Sequence, residues 1–159
     1  MSVKNPPSEM PRVAPMVSYE DVGAGSDWLC RAFGFRERLR YTEADGRLSH
    51  VQLELEDGLV MLGNPDSKYV SPKHHAQRCD VMRSVYETPY VSDGVHIYVD
   101  DVAAHYERAR RAGTTILTEL EDTLFGDRHY RAEDPEGHRW MFAEHVRDVA
   151  PADWGAETA

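Results

Sequence analysis

Apolar residues recur at helical spacing in two segments of the chain. Val102, Tyr106 and Ala109 stand at positions i, i+4 and i+7, which places them on one face of a helix. Asp101 directly precedes this segment and is a favourable N-cap residue. A segment at about 21–34 carries a similar apolar stripe, made by Val22, Trp28, Leu29, Ala32 and Phe33. We therefore predict two amphipathic helices.

Extended segments surround each predicted helix, and each copy of this arrangement closes with a hairpin. In the first copy they are 13–19, 35–42, 48–56 and 59–63, with Asp57-Gly58 at the hairpin turn. In the second copy they are 95–100, 114–119, 128–133 and 138–144, with Asp134-Pro135-Glu136-Gly137 at the turn. The copies share one register, since Asp101 minus 80 is Asp21 and Gly137 minus 79 is Gly58. Such a repeat predicts a βαβββ module that occurs twice.

Chain length limits the number of domains. Because 159 residues are too few for two independent cores, we expect a single domain over residues 1–145. Its two modules would span about 11–64 and 93–145. The connector 65–92 contains three prolines and few periodic apolar residues, which is typical of a long loop. Residues 146–159 are expected to form a C-terminal tail.

The stretch from His96 to His145 resembles the second module of the vicinal oxygen chelate superfamily. This superfamily includes glyoxalase I, extradiol dioxygenases, and fosfomycin and bleomycin resistance proteins. The resemblance rests on VDD at 99–101, RAG at 111–113, GDR at 126–128, DPEGH at 134–138 and FAE at 142–144. It implies an α+β fold of two βαβββ modules, each a curved mixed sheet, that enclose a shared cavity with the helices outside. It also implies a homodimer.

Metal-binding relatives take their ligands from the first and last strands of each module. Carried over to this chain, the second module supplies His96 and Glu144, whose imidazole and carboxylate suit a divalent metal. The equivalent positions of the first module hold Met16 and either Asn64 or Pro65, which are not ligands for such a metal. We therefore expect an incomplete set and at most a weakly bound divalent ion. The other interpretation is that His96 is a pocket-wall histidine hydrogen-bonded to Glu144.

Two-residue alternation groups the candidate ligand-binding residues of the second module. Trp140, Phe142 and Glu144 share one face of the last strand, and the resemblance places Glu144 toward the cavity. His96 and Tyr98 point inward by the same parity. Arg128 would lie opposite Glu144 if the hairpin has a glycine bulge, and Asp127 would replace it in a two-residue turn. The alternative is that Trp140 and Phe142 pack the core.

Further candidates come from the first module and the connector. Met16 and His50 are included as ligand-binding candidates, and His50 is the repeat equivalent of His129, since 129 minus 79 is 50. His74 and His75 are adjacent in the connector, where we expect them to belong to a plain loop. An aromatic floor with a few polar side chains suits a small ligand that is partly flat and partly polar.

Composition narrows the classes of partner. A formal net charge of −10 opposes binding to phosphate backbones, so no nucleic acid is expected. No apolar run approaches the length of a membrane span, and the N-terminus has no secretory signal pattern. We expect a cytoplasmic protein with Cys30 and Cys79 as free thiols.

Two functions remain open from the sequence. The first is a protein that binds a small, partly aromatic molecule between its modules, as bleomycin resistance proteins do. The second is a metal-dependent lyase, isomerase or dioxygenase that uses His96 and Glu144. No phosphate loop or nucleophile motif is present, so no catalytic residue is assigned, and the incomplete ligand set favours binding.

Overall fold

A computed structural model describes residues 6–7, 9–87 and 94–157 of the chain. The first module contains β1 (Met16–Ser18), α1 (Val22–Phe33), β2 (Arg36–Thr42), β3 (Leu48–Leu55) and β4 (Gly58–Gly63). Two short helices follow, α2 (Pro72–Arg78) and α3 (Asp80–Glu87). The second module contains β5 (Val95–Tyr98), α4 (Val102–Arg111), β6 (Thr115–Asp122), β7 (Asp127–Glu133) and β8 (Arg139–His145). A single 3₁₀ turn, Pro151–Trp154, lies near the C-terminus.

Each module forms one four-stranded mixed sheet. The strand orders are β1-β4-β3-β2 and β5-β8-β7-β6. The β1–β4 and β5–β8 pairs are parallel, and the remaining pairs are antiparallel. Gly137 takes φ +91° in the β7–β8 turn, a left-handed conformation that glycine adopts at little cost. The structure confirms the predicted α+β fold of two repeated modules.

Helices α1 and α4 cover one face of their own sheets. Each begins at the predicted aspartate, because Asp21 and Asp101 accept hydrogen bonds from the backbone N–H groups of Ala24 and Ala104. Apolar side chains of both helices join one hydrophobic core with β3, β4, β7 and β8. We call the sheet face that turns away from the helices the open face. The helices lie away from the open faces, as predicted, but α1 and α4 also contact each other and so join the modules, which the sequence did not indicate.

A half-buried histidine connects the two helices. His105 Nε2 lies 2.8 Å from the Phe33 carbonyl, and His105 Nδ1 lies 2.7 Å from the Tyr130 hydroxyl. A carbonyl only accepts, so Nε2 carries the hydrogen of the neutral ring and the Tyr130 hydroxyl donates to Nδ1. Desolvation lowers the pKa of His105, which favours the neutral ring in the folded protein relative to the unfolded chain.

We expect His105 to make the fold less stable at acidic pH. In the unfolded chain this imidazole protonates below about pH 6.5, whereas burial delays protonation in the folded state. The unfolded state then binds more protons, so the free energy of unfolding falls as pH drops below about 6.5. Urea denaturation between about pH 5 and pH 8 measures this change. The free energy of unfolding should fall less with decreasing pH in His105→Gln than in wild type. The control is His75→Gln at an exposed position; equal slopes for wild type and His105→Gln would contradict this account.

The described part of the connector, residues 65–87, is more ordered than its proline content predicted. Residues 72–78 and 80–87 are helical, so the expectation that His74 and His75 lie in a plain loop is wrong. Pro72 occupies the first turn of α2, where proline is well tolerated because that N–H has no helical partner. His74 Nδ1 lies 2.9 Å from Glu20 Oε1, which ties α2 to the first module.

The C-terminal tail is partly packed, because the Trp154 ring lies 5.6 Å from the Phe125 ring. Cys30 and Cys79 are free thiols, as predicted. Within the described residues, no helix has the length and apolar character required to cross a membrane.

Candidate ligand-binding site

The parallel pairing of β5 with β8 decides which residues face together. His96 lies beside Met141, and Tyr98 lies beside Ala143. Paired residues of neighbouring strands point to the same side of a sheet, so His96 and Tyr98 share the open face with Met141. Two-residue alternation then turns Trp140, Phe142 and Glu144 toward the helices. Phe142 and Glu144 do not border the cavity described below, so their predicted cavity-facing position is wrong. Trp140 also faces the helices, but it is still among the residues that line that cavity.

Trp140 and Phe142 belong to the hydrophobic core. Their exposed fractions are 1% and 0%. The Trp140 ring lies 5.8 Å from the rings of both Phe33 and Phe35, and the Phe142 ring lies 4.6 Å from that of Phe33. The alternative that the sequence left open, core packing, is therefore what these contacts show. Alternation identifies residues that share a face, but it does not say which face meets the helices.

Glu144 and Arg128 have contacts on the helix side of the sheet. The Glu144 carboxylate accepts a hydrogen bond of 3.0 Å from the backbone N–H of Val102, at the start of α4, where a negative charge is favourable. Arg128 pairs with Glu144 in the β7–β8 register, as expected for a bulged turn. Its guanidinium nonetheless binds Asp122, with 2.6 Å between Nε and Oδ1. Neither residue borders the cavity described next.

The open face of the second sheet forms the floor of a cavity of about 820 Å³. Arg131, Met141 and His96 lie side by side on β7, β8 and β5. Further lining residues come from β5, β6, β7, the start of β8 and the end of α3, among them Val95, Leu117, Thr118, His129, Arg139, Trp140, Tyr86 and Glu87. Tyr98 stands outside this lining at the exposed edge of the face, with its hydroxyl 2.7 Å from Asp127 Oδ2.

Three buried polar atoms of the cavity lining have neither a hydrogen bond nor an ion pair within the described parts of the chain; a fourth, Arg139 Nε, has no hydrogen bond but lies 3.4 Å from Glu133 Oε2. The three are Thr118 Oγ1, His129 Nδ1 and Arg131 Nε. A buried polar atom without a partner costs about 1–3 kcal/mol relative to a satisfied one. The other ring nitrogen of His129 lies 3.1 Å from Glu121 Oε1. The lining therefore retains hydrogen-bonding capacity that the fold itself does not use.

His96 is a neutral member of this floor. Burial lowers the pKa of its imidazole, and the neighbouring charges of His129 and Arg131 act in the same direction, against the opposing effect of Asp127. A neutral imidazole can donate one hydrogen bond and accept another. His96 thus offers polar contacts without adding charge at neutral pH.

These residues do not fit the metal centre that the resemblance implied. Glu144 points to the opposite face of the sheet from His96, so the two cannot share an ion. The expected hydrogen bond between them is excluded for the same reason. The position beside His96 holds Met141, whose thioether is a poor ligand for Mg²⁺, Mn²⁺ or Fe²⁺. Among the described residues, no group of three His, Cys, Asp or Glu side chains is arranged to hold a metal.

The first-module candidates lie away from this cavity. Met16 is 68% exposed and borders a second cavity of about 520 Å³ between β1, the connector helices and the start of β8. His50 lies on the open face of the first sheet, because its neighbour Val51 is buried in the core. His50 borders neither of these two cavities. The structure therefore does not bring Met16 and His50 together with His96.

Comparison with known proteins assigns the family. Residues 12–142 match the model of the Glyoxalase/Bleomycin resistance protein/Dioxygenase superfamily, and the chain belongs to this superfamily. An uncharacterized protein of Mycobacterium tuberculosis (strain ATCC 25618 / H37Rv) is 34% identical over 139 residues, which cover 87% of this chain and 77% of that protein.

Solved structures agree with this assignment. The crystal structure of TioX from Micromonospora sp. ML1 is 32% identical, covers 84% of this chain and 99% of its own, and has a TM-score of 0.61. The fosfomycin resistance protein FosX from Listeria monocytogenes has a TM-score of 0.56 at 10% identity. That alignment covers 85% of this chain and 93% of FosX, and at this identity it supports the fold alone.

Proposed function

We propose that this protein binds a small, partly flat organic molecule in the 820 Å³ cavity on the open face of its second sheet. The observation that carries this proposal is the set of unpartnered polar atoms at Thr118, His129 and Arg131 within the lining. Ligand sites in proteins combine an apolar wall with a few such polar groups, in volumes of about 300–1,000 Å³. Here Met141, Val95 and Leu117 supply the apolar surface.

A metal-dependent lyase, isomerase or dioxygenase that uses His96 and Glu144 has less support. Each of these reactions needs its metal ligands on one face, and these two side chains occupy opposite faces. No other described residue completes a ligand set around His96. The positions of the donors therefore favour binding over metal-assisted chemistry.

A homodimer is part of the proposal. The cavity is open on one side, and the open face of the first sheet exposes the large apolar side chains Met16, Leu39 and Tyr41 by 68%, 44% and 53%. Exposed apolar surface of this kind favours a protein interface. We expect two chains to pair so that the first sheet of one chain covers the cavity of the other.

Sedimentation of the protein with 2-naphthoate tests both the binding site and the homodimer. 2-Naphthoate is a flat aromatic probe that absorbs in the near ultraviolet. The probe should co-sediment with a species of twice the 18.1 kDa chain mass. Leu117→Glu should abolish co-sedimentation, because it adds a carboxylate that repels the carboxylate of the probe. Its melting temperature should stay near that of wild type, since Leu117 is 37% exposed. Leu124→Glu, at a leucine that is 79% exposed, is the matched control.

Three results of this experiment would contradict the proposal. A probe that does not sediment with the wild type contradicts the binding site. A probe that sediments equally with Leu117→Glu and wild type contradicts its location. A single-chain mass contradicts the pairing of two copies.

A further inference from the structure

We propose that the cavity recognises its ligand by a carboxylate or a similar organic oxyanion, which Arg131 binds. This inference rests on the proposed function and specifies the ligand class. Arg131 lies in the middle of the cavity floor, between β6 and Met141 of β8. It has no hydrogen bond or ion pair to any described residue, and its Nε is buried without a partner.

Glu133, Arg139 and Glu121 around the cavity have partners within the protein, whereas Glu87 at the end of α3 has no ion pair among the described residues. Glu133 Oε2 lies 3.4 Å from Arg139 Nε, and Glu133 Oε1 lies 3.8 Å from Lys73 Nζ. Glu121 lies 3.1 Å from His129. Arg131 is thus left as the cation of this floor without an acidic partner among the described residues. The chain has 28 acidic and 18 basic residues, so the lack of an acidic partner for Arg131 does not come from a shortage of carboxylates.

The surroundings of Arg131 strengthen an ion pair with a ligand. Met141 and Leu117 provide apolar neighbours, and a charge-assisted hydrogen bond is stronger where water is excluded. The Arg131 guanidinium and the Thr118 hydroxyl are both donors, which suits the acceptor oxygens of an oxyanion. A guanidinium also matches the two oxygens of a carboxylate in a bidentate arrangement. The flat part of the ligand would then lie over Met141.

A pair of isosteric probes separates charge from shape. 2-Naphthoate and 2-naphthamide have the same ring and similar size, but only the first is an anion. Calorimetric titration of wild type should give a dissociation constant at least about tenfold lower for the acid than for the amide. Arg131→Gln should remove this preference while it still binds the amide. Arg128→Gln is the matched control, because Arg128 lies on the same strand but is paired with Asp122 on the helix side.

The outcomes distinguish this inference from the function on which it rests. Equal affinity of wild type for both probes, or an unchanged preference in Arg131→Gln, overturns the role of Arg131 and leaves the binding site standing. Absence of binding for both probes overturns the proposed function and this inference together. Loss of the preference in Arg128→Gln also overturns the inference, since that residue does not border the cavity.

Discussion

Replacement of Asp134 by alanine should lower the free energy of unfolding by about 3–5 kcal/mol. The Asp134 carboxylate is 2% exposed. It accepts hydrogen bonds from the Tyr19 hydroxyl and the Trp140 indole N–H. It also accepts them from the backbone N–H groups of Glu136 and His138. Alanine would leave these donors without their acceptor, two of them inside the core.

This carboxylate also joins the two modules. Tyr19 follows β1 in the first module, and Asp134 begins the β7–β8 turn of the second. Burial and the neighbouring Asp134 charge raise the pKa of Tyr19 well above its ordinary value, so its hydroxyl remains a donor at neutral pH. The contact therefore fixes the start of β8, from which Arg139 and Met141 extend into the cavity lining.

Chemical denaturation provides the measurement for Asp134→Ala. The free energy of unfolding of Tyr19→Phe should fall by less, about 1–2 kcal/mol, because this change removes one hydrogen bond and leaves the carboxylate its other partners. Asp27→Ala, at an exposed position of α1, should change stability by less than about 0.5 kcal/mol. A loss below about 1 kcal/mol in Asp134→Ala would show that this network does not hold the modules together.

Much of the fold could be predicted because its signals are local. The caps at Asp21 and Asp101 and the turn at Gly137 each act over a few residues, and their repetition at an offset of 79 or 80 residues predicted the two modules. The first strand was predicted too long, at 13–19 against Met16–Ser18. Helices α2 and α3 were missed because they are short, although Ser71 followed by Pro72 is a recognisable helix start.

The face of β8 could not be predicted from the sequence. Both of its faces carry apolar residues, Trp140 and Phe142 on one side and Met141 and Ala143 on the other, so alternation fits either orientation. Only the register with β5, a partner more than 40 residues away in the chain, places His96 beside Met141. Arg131 gave no signal either, since an isolated arginine in a strand is usually a solvated surface residue.

A second large effect should be the shift of the Met141 methyl resonance when a ligand binds. Its side chain lies at the centre of the cavity floor, between His96 and Arg131. A flat aromatic ring that packs on a flexible thioether is a favourable contact, and the ring places the methyl group in its magnetic field. We therefore expect 2-naphthoate to shift the Met141 methyl resonance more than that of any other of the six methionines.

Methyl spectra of protein labelled with ¹³C-methyl methionine test the location of the site most directly, with Met141→Leu to identify the resonance. The account predicts a saturable shift at Met141 on addition of 2-naphthoate, with smaller changes at Met16 and Met82, which border the other cavity. A spectrum in which Met141 stays in place while Met16 or Met82 moves would contradict the assignment of the ligand to the open face of the second sheet.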